Sequence, residues 1–172
     1  MIYPNGHVDY LMYKNGGPLI GIAKVTMPTV KYKTVTATGA GLMGDVTIPL
    51  SGMIEAMTFN IQFSSVTDAA VELGSNEWHD VSLYAADQYF DSVNRREEIE
   101  QNKFELSIRP TETSAGTIAT ASAADASGVY SVCKYTVYKN GDKVTDIDQF
   151  GQVHEVNHVD CAAAVRKAMG MM

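Results

Sequence analysis

The 172-residue sequence is poor in cysteine and in basic residues, and it contains no long apolar run. Its two cysteines, Cys133 and Cys161, lack the spacing of metal ligands, so buried reduced thiols are expected. Because no apolar stretch approaches the roughly 20 residues that span a bilayer, no membrane-spanning segment is predicted. Residues 1–6 lack the basic and apolar regions of a signal peptide, so we expect synthesis in the cytoplasm.

Acidic residues outnumber basic residues, twenty to thirteen, and the net charge is −7. Residues 1–60 hold four basic and three acidic residues, whereas the remainder holds nine basic and seventeen acidic residues. A protein that grips nucleic acid needs lysine and arginine to neutralise phosphates, so this balance opposes such a function. No internal repeat or linker interrupts the sequence, and residues 1–172 are predicted to form a single domain with a substantial core.

Alternation of apolar and polar residues predicts a mainly β fold. The clearest example is residues 57–63, where the odd positions are apolar and the even positions are polar. Asn15-Gly16 and Asn140-Gly141 each predict a tight turn, because both residue types tolerate positive φ. Several hairpins and no βαβ rhythm indicate an antiparallel β-barrel or sandwich. The remaining strands are predicted at residues 10–13, 19–27, 30–38, 46–49, 81–90, 96–109, 130–139 and 143–148.

One or two short helices are expected beside the strands. The first is predicted over residues 67–73, with Gly74 as its stop. The second is predicted over residues 161–169, because Asp160 is a good N-cap and Gly170 suits the position after a helix.

Two segments are expected to leave the body of the domain. Residues 30–38 are β-branched but polar on both sides, which favours an edge strand or an exposed arm. With residues 46–49 and the glycine-containing segment between them, they predict a projecting hairpin arm over residues 31–50. Residues 111–128 are small and low in complexity, so a flexible surface loop is predicted there.

Residues 154–158 (HEVNH) match the H-E-x-x-H pattern of zinc hydrolases. In such enzymes both histidines bind zinc from one face of a helix, and the glutamate activates a water molecule. A zinc hydrolase built on His154, Glu155 and His158 is therefore one hypothesis. Val156 and Asn157 are weak helix formers, however, and favour a strand and turn with exposed histidines. We expect no catalytic, metal-binding or cofactor-binding residue and no enzymatic activity.

Residues 39–44 (GAGLMG) match the G-x-G-x-x-G pattern of dinucleotide-binding proteins. That pattern works only between a buried strand and a helix whose N-terminus faces the pyrophosphate. The β-branched segment that follows ends at Pro49, so no helix is expected to start there. The segment therefore predicts a turn or loop tip.

Four segments in this order resemble the major tail tube protein of contractile phage tails, which phage-tail-like contractile bacteriocins also use. Residues 21–28 (GIAKVTMP) resemble the family's G-x-A-K-…-L-P stretch, and residues 39–44 resemble its G-A-G-M-x-G segment. Residues 139–148 are similar to its C-terminal hairpin. Residues 156–160 (VNHVD), with Gly170 downstream, resemble its V-N-G-V-D ending. His158 replaces the family's glycine, which would place a strained residue at a turn that needs positive φ.

The resemblance implies a structural subunit without catalysis. Six copies would form a ring, and stacked rings would form a hollow conduit for delivery through the host envelope. The implied partners are further copies of the chain, the tail sheath protein, baseplate and tail terminator proteins, and genomic DNA that passes without specific binding. The implied location is a virion tail or a phage-tail-like particle.

The resemblance also implies where copies meet. The projecting hairpin would contact neighbouring subunits or the next ring, and the acidic C-terminal portion would line the lumen, where it would repel DNA. A ring protein of a secretion system, of the haemolysin-coregulated type, is the alternative within the same fold. The expected subunit or ring contacts are Lys31, Lys33, Gly39, Gly41, Leu42, Met43 and Gly44.

Overall fold

The computed structural model describes residues 1–171 as an antiparallel β protein with two short helices. The mainly β fold predicted from the sequence is confirmed. The strands are β1 (Ile2–Lys14), β2 (Gly17–Leu19), β3 (Ile22–Thr26), β4 (Tyr32–Ala37), β5 (Val46–Ile54), β6 (Met57–Phe63), β7 (His79–Asp91), β8 (Arg96–Ser114), β9 (Ser127–Lys139), β10 (Asp142–Asp148), β11 (Val153–Val156) and β12 (Val159–Asp160). The helices are α1 (Asp68–Leu73) and α2 (Ala163–Ala168). Neither helix has the length and apolar character needed to cross a membrane.

Ten strands form one branched sheet. Its main path runs in the order β12-β11-β10-β9-β8-β7-β1-β2, with every neighbouring pair antiparallel. The branch lies at β9, whose residues 127–132 pair with β6 and whose residues 134–139 pair with β10. Cys133 lies between these two segments, and β3 continues the branch beyond β6. The strands β4 and β5 form a separate two-stranded sheet.

The core lies on the face of the sheet covered by the branch and α1. In β6 the odd positions are buried and the even positions exposed, as the alternation predicts. β7 repeats the pattern, with Val81, Leu83 and Ala85 buried. The ring of Phe59 packs at 6.5 Å from that of Tyr130 on β9. Each large apolar side chain buried in this way stabilises the fold by about 1.5–3 kcal/mol.

The short helix α1 forms as the sequence indicates. Thr67 is its N-cap, and the Thr67 hydroxyl accepts a hydrogen bond from the backbone N–H of Ala70 at 3.3 Å. Gly74 is the C-cap, and its N–H donates to the carbonyl of Ala70 at 3.1 Å. Leu73 is fully buried, so the helix closes one end of the core.

The loop predicted over residues 111–128 is shorter than expected. β8 continues to Ser114 through a bulge near Pro110, and β9 already begins at Ser127. Glu112 pairs with Val129 and Ser114 with Ser127, so only residues 115–126 connect the two strands. Backbone pairing of small residues leaves no mark on composition, which is why the sequence did not reveal it.

The C-terminal helix also differs from the prediction of residues 161–169. Its N-cap is Ala162, which makes no side-chain cap hydrogen bond. Asp160 belongs instead to β12, where its carboxylate accepts from the N–H of Ala162 at 2.9 Å and pairs with Arg166. The thiols of Cys133 and Cys161 are free but half-buried, rather than buried as expected.

Candidate assembly surfaces

The two-stranded sheet β4–β5 is exposed on both faces. We call residues 32–54 the arm; in β4 only Ala37 is half-buried, and in β5 only Gly52 and Ile54 are. A two-stranded hairpin is marginally stable alone in water, and a contiguous exposed apolar surface marks an interaction site. The exposed apolar side chains of the arm's strands are Tyr32, Val35, Val46, Ile48, Leu50 and Met53.

Glycines shape the arm tip, which we define as residues 39–44. Gly41 and Gly44 have φ of +96° and +111°, and both sites face open space. Between them the side chain of Met43 is fully exposed, and that of Leu42 is exposed as well. Because β5 rather than a helix follows the tip, the segment lacks the geometry of a dinucleotide site.

The predicted contact residues are all exposed, with Lys31 just before the arm and the others on it, but they do not form one cluster. Lys31 and Lys33 are exposed at the base, whereas the other five lie at the tip. The structure therefore places the two lysines at the base of the arm and the other five residues at its apolar, glycine-rich tip. Their role in contacts between copies stays a prediction.

Three contacts fix the arm base to the body of the domain. The ring of Tyr32 stacks on His154 of β11, with 5.5 Å between centroids. The side-chain amide of Gln149 donates to the carbonyl of Glu55 at 3.2 Å. Gly52 has φ of +69°, and an added Cβ would lie 2.9 Å from Ala162. Only glycine allows the backbone at position 52 to lie this close to Ala162, so this residue determines how closely the arm base packs beside α2.

The H-E-x-x-H segment does not form a zinc site. His154 and Glu155 lie in β11, and adjacent strand residues point to opposite faces. His154 is 2% exposed on the core side opposite Ile147, whereas Glu155 lies opposite Asp146 on the other face. His158 follows in a turn with φ of +63°. His154 points to the face opposite Glu155 and His158, so the two histidines cannot bind one zinc ion and the zinc hydrolase hypothesis is wrong.

The predicted exposure of the two histidines is right for one and wrong for the other. His158 is exposed, and its Nδ1 lies 3.9 Å from Glu155 Oε1 while its Nε2 lies 3.4 Å from Asp142. His154 is buried because Tyr32, far away in sequence, covers its ring. The positive φ expected at position 158 is present.

The face of the main sheet opposite the core is polar and acidic. One row crosses it through the directly paired residues Glu105, Thr136, Asp146, Glu155 and Asp160. Residues directly opposite each other on antiparallel strands share a face, so the register brings these side chains together. The sequence does not reveal the row, because the register is a long-range property. Charged residues of this polar face include Asp80, Lys103, Glu105, Lys134, Lys143, Asp146, Asp148, Glu155 and Asp160.

Two lysines of the polar face contact neighbouring tyrosine rings or carboxylates. The ammonium of Lys103 lies 5.5 Å from the ring of Tyr84 and 5.2 Å from that of Tyr138. A hydrogen bond to Glu105 raises the pKa of Lys103, and a hydrogen bond to Asp146 at 2.8 Å raises the pKa of Lys143. The lysines are therefore held among carboxylates, and the face as a whole keeps an acidic excess.

Comparisons with known proteins point in one direction. Residues 8–170 match the family model described as phage tail tube protein FII. No curated protein matches the sequence. A chain in the cryo-EM structure of the PVC extracellular contractile injection system, sheath–tube complex in the extended state, superposes with a TM-score of 0.53 at 12% identity, over 76% of this chain and 88% of that chain. A chain in the sheath/tube terminator structure of the same system gives 0.53 at 9% identity, over 76% and 94%. At these identities the likeness concerns the fold alone.

Proposed function

The chain belongs to the phage tail tube protein FII family, a family of structural proteins rather than enzymes, and on this premise we propose that it forms the inner tube of a contractile tail. Copies assemble as hexameric rings, and the rings stack into a hollow conduit for delivery through a host envelope. The observation that carries this proposal is the family match over residues 8–170, nearly the whole chain.

The arm supports self-assembly on physical grounds. Its strands expose apolar side chains, among them the directly opposite Val35 and Ile48, and leave backbone groups unpaired along their outer edges. Such edges are a liability in a monomer and become binding surfaces between copies. Lys31, Lys33 and the tip residues Gly39, Gly41, Leu42, Met43 and Gly44 are the contacts that we assign to neighbouring subunits.

The acidic polar face is the surface that we assign to the lumen. A row of carboxylates lining a bore repels the phosphates of DNA, so a genome passes without being held. The same acidic face would also suit the lumen of a particle that delivers a cargo other than DNA. No base-specific or phosphate-binding group is needed for either task.

The partners are proposed by analogy with the matched structures, which contain a sheath–tube complex and a sheath/tube terminator of an injection system. A tail sheath protein would surround the tube, and baseplate and terminator proteins would meet its two ends. The location is then a virion tail or a phage-tail-like particle, after synthesis in the host cytoplasm.

Sedimentation velocity of the purified full chain over a concentration series tests the proposal. We expect a species of six copies of the 18.6 kDa chain, and larger stacks as the concentration rises. A control variant with residues 34–49 replaced by a two-residue Asn-Gly turn should remain at lower mass, because it lacks the distal arm. A wild-type chain that stays monomeric at every concentration would contradict the proposal.

A further inference from the structure

A cleft opens where the arm base meets the body of the domain. Its volume is about 350 Å³, and it lies between β5, the β10–β11 connection and α2. Its lining is mostly apolar and includes Met53, Ile54, Val153, Val165 and Met169. An apolar cleft of this size is large enough to bury bulky side chains.

Polar side chains also line the cleft: Ser51, Asp148, Gln149, Gln152, His154 and Arg166. The ring nitrogens of His154, which lines it, have no hydrogen-bond partner among residues 1–171. The guanidinium of Arg166 also lines the cleft, held by Asp160 and by the carbonyl of Gln152 at 2.8 Å. The cleft therefore combines an apolar lining with the cation of Arg166, which Asp160 already pairs, and with the carboxylate of Asp148.

The arm tip has the matching chemistry. Leu42 and Met43 project from it as exposed apolar side chains, and the carboxylate of Asp45 follows directly. If the tip docked in the cleft, the apolar side chains of both would be removed from water, which favours the contact. The contact would be mainly apolar, because Asp45 would approach an Arg166 that Asp160 already pairs, beside the carboxylate of Asp148.

A chain cannot fill its own cleft with its own tip. Gly52 lines the cleft, and Gly44 ends the tip eight residues earlier along an extended strand. At a rise of about 3.3 Å per residue, the tip lies roughly 25 Å from the cleft. Only the tip of another molecule can therefore enter.

We propose that the cleft receives the arm tip of a second copy of this chain, with Leu42 and Met43 inserted against Met53, Val165 and Met169. The contact is head to tail, because tip and cleft are different surfaces. Such a heterologous contact propagates from copy to copy instead of stopping at a dimer. This inference rests on the proposed function, since it names the receiving site for the arm of a tube subunit.

Cysteine cross-linking between two different single-cysteine chains tests the inference. Both chains carry Cys133→Ser and Cys161→Ser; one adds Met43→Cys and the other adds Met169→Cys. Both new positions are exposed, Met43 fully and Met169 to 56%, so the fold should tolerate them. The control pairs Met43→Cys with Val71→Cys, a position on α1 that is 66% exposed and lies outside the cleft.

After mild oxidation of the mixed chains, we expect a disulfide-linked heterodimer from the cleft pair and none from the control pair. Tubes that form without a cross-link in the cleft pair would overturn the inference and leave the proposed function standing. Equal cross-linking of both pairs would also overturn it. Chains that form neither tubes nor cross-links would contradict the proposed function and the inference together.

A substitution without cysteine provides a second measurement. Met43→Asp places a charge in the apolar cleft of the next copy, so we expect tube formation to be lost. Val71→Asp, with the same change in charge at an exposed site, should leave tubes intact. Tubes from Met43→Asp at the wild-type concentration would overturn the inference.

Discussion

His154 is the residue that links the arm to the body most directly. Its ring is buried and stacks on Tyr32, yet neither ring nitrogen has a hydrogen-bond partner in the described residues 1–171. Packing of the ring therefore stabilises the arm base, whereas desolvation of its nitrogens opposes this gain.

Substitutions at His154 separate these two effects. His154→Phe keeps the stacked ring and removes the unpartnered nitrogens, so we expect an unchanged free energy of unfolding or a gain of up to about 1 kcal/mol. His154→Ala leaves a cavity and should lower the free energy of unfolding by about 2–4 kcal/mol. Urea unfolding of the dilute protein measures both changes. Equal losses in the two variants would show that the nitrogens are hydrogen-bonded.

The pair of Asp160 and Arg166 gives the fold a pH dependence. The side-chain hydrogen bond from Arg166, followed by that from the N–H of Ala162, lowers the pKa of Asp160 below its ordinary 3.8. Because the pKa of Asp160 is lower in the folded protein, the pair stabilises the fold fully at pH values above 3.8. This stabilisation is lost as the pH falls through the pKa that Asp160 has in the folded protein.

Asp160→Asn should therefore have a lower Tm than the wild type at pH 7, and the gap should close as the pH falls below 3.8. Thermal unfolding followed by circular dichroism at several pH values measures this gap. Glu97→Gln, which changes an exposed acid on β8, is the matched control and should show little gap at any pH. A gap for Asp160→Asn that persists at the lowest pH would contradict the assigned ion pair.

At the scale of elements, the arm is anchored through an irregular stretch of β5. Tyr32 pairs with Ile54 and Thr34 pairs with Pro49, so the register shifts between these positions. Gly52 lies within the shift, in the left-handed region and against Ala162. The orientation of the arm thus depends on backbone geometry at one glycine.

Replacement of Gly52 by alanine tests this dependence. Gly141 in the β9–β10 turn has a similar positive φ of +85° but open space around it, so Gly141→Ala reports backbone strain alone, about 1–2 kcal/mol. Gly52→Ala adds a clash with Ala162 and should lower the free energy of unfolding by clearly more than Gly141→Ala. Chemical denaturation of both variants decides the comparison. Equal losses would mean that the arm base does not pack closely against α2.

The sequence predicted the elements that a local residue pattern specifies without knowledge of their pairing partners. Residues 57–63 alternate strictly, and Asn140-Gly141 permits a two-residue hairpin loop, so local pattern alone identified β6 and the β9–β10 turn. The short helix α1 followed from Thr67 and Gly74 at its two ends in the same way.

Features that depend on distant partners were not predictable. Residues 112–114 became strand because they pair with residues 127–129, and their composition gives no sign of it. His154 became buried because the arm base covers it. The polar face exists only because the register aligns Glu105, Asp146 and Glu155 across neighbouring strands.

At the scale of the whole molecule, assembly must overcome repulsion between copies that each carry a net charge of −7. The proposed contact at the arm tip is mainly apolar. Salt screens repulsion over distances that fall from about 30 Å at 0.01 M to about 3 Å at 1 M.

We therefore expect added salt to lower the concentration at which tubes form. Pelleting of tubes by centrifugation over a series of sodium chloride concentrations measures this threshold. Sucrose at matched viscosity is a control for effects unrelated to ionic strength. Tubes that dissolve as salt rises would indicate that charge attraction, rather than apolar contact, holds the copies together.

The most direct test of the central claim is negative-stain electron microscopy of the purified full chain at high concentration. A tube subunit predicts rings with sixfold symmetry, or tubes of uniform bore built from such rings. Monodisperse particles of monomer size at every concentration would contradict the claim that this chain builds a tube from copies of itself.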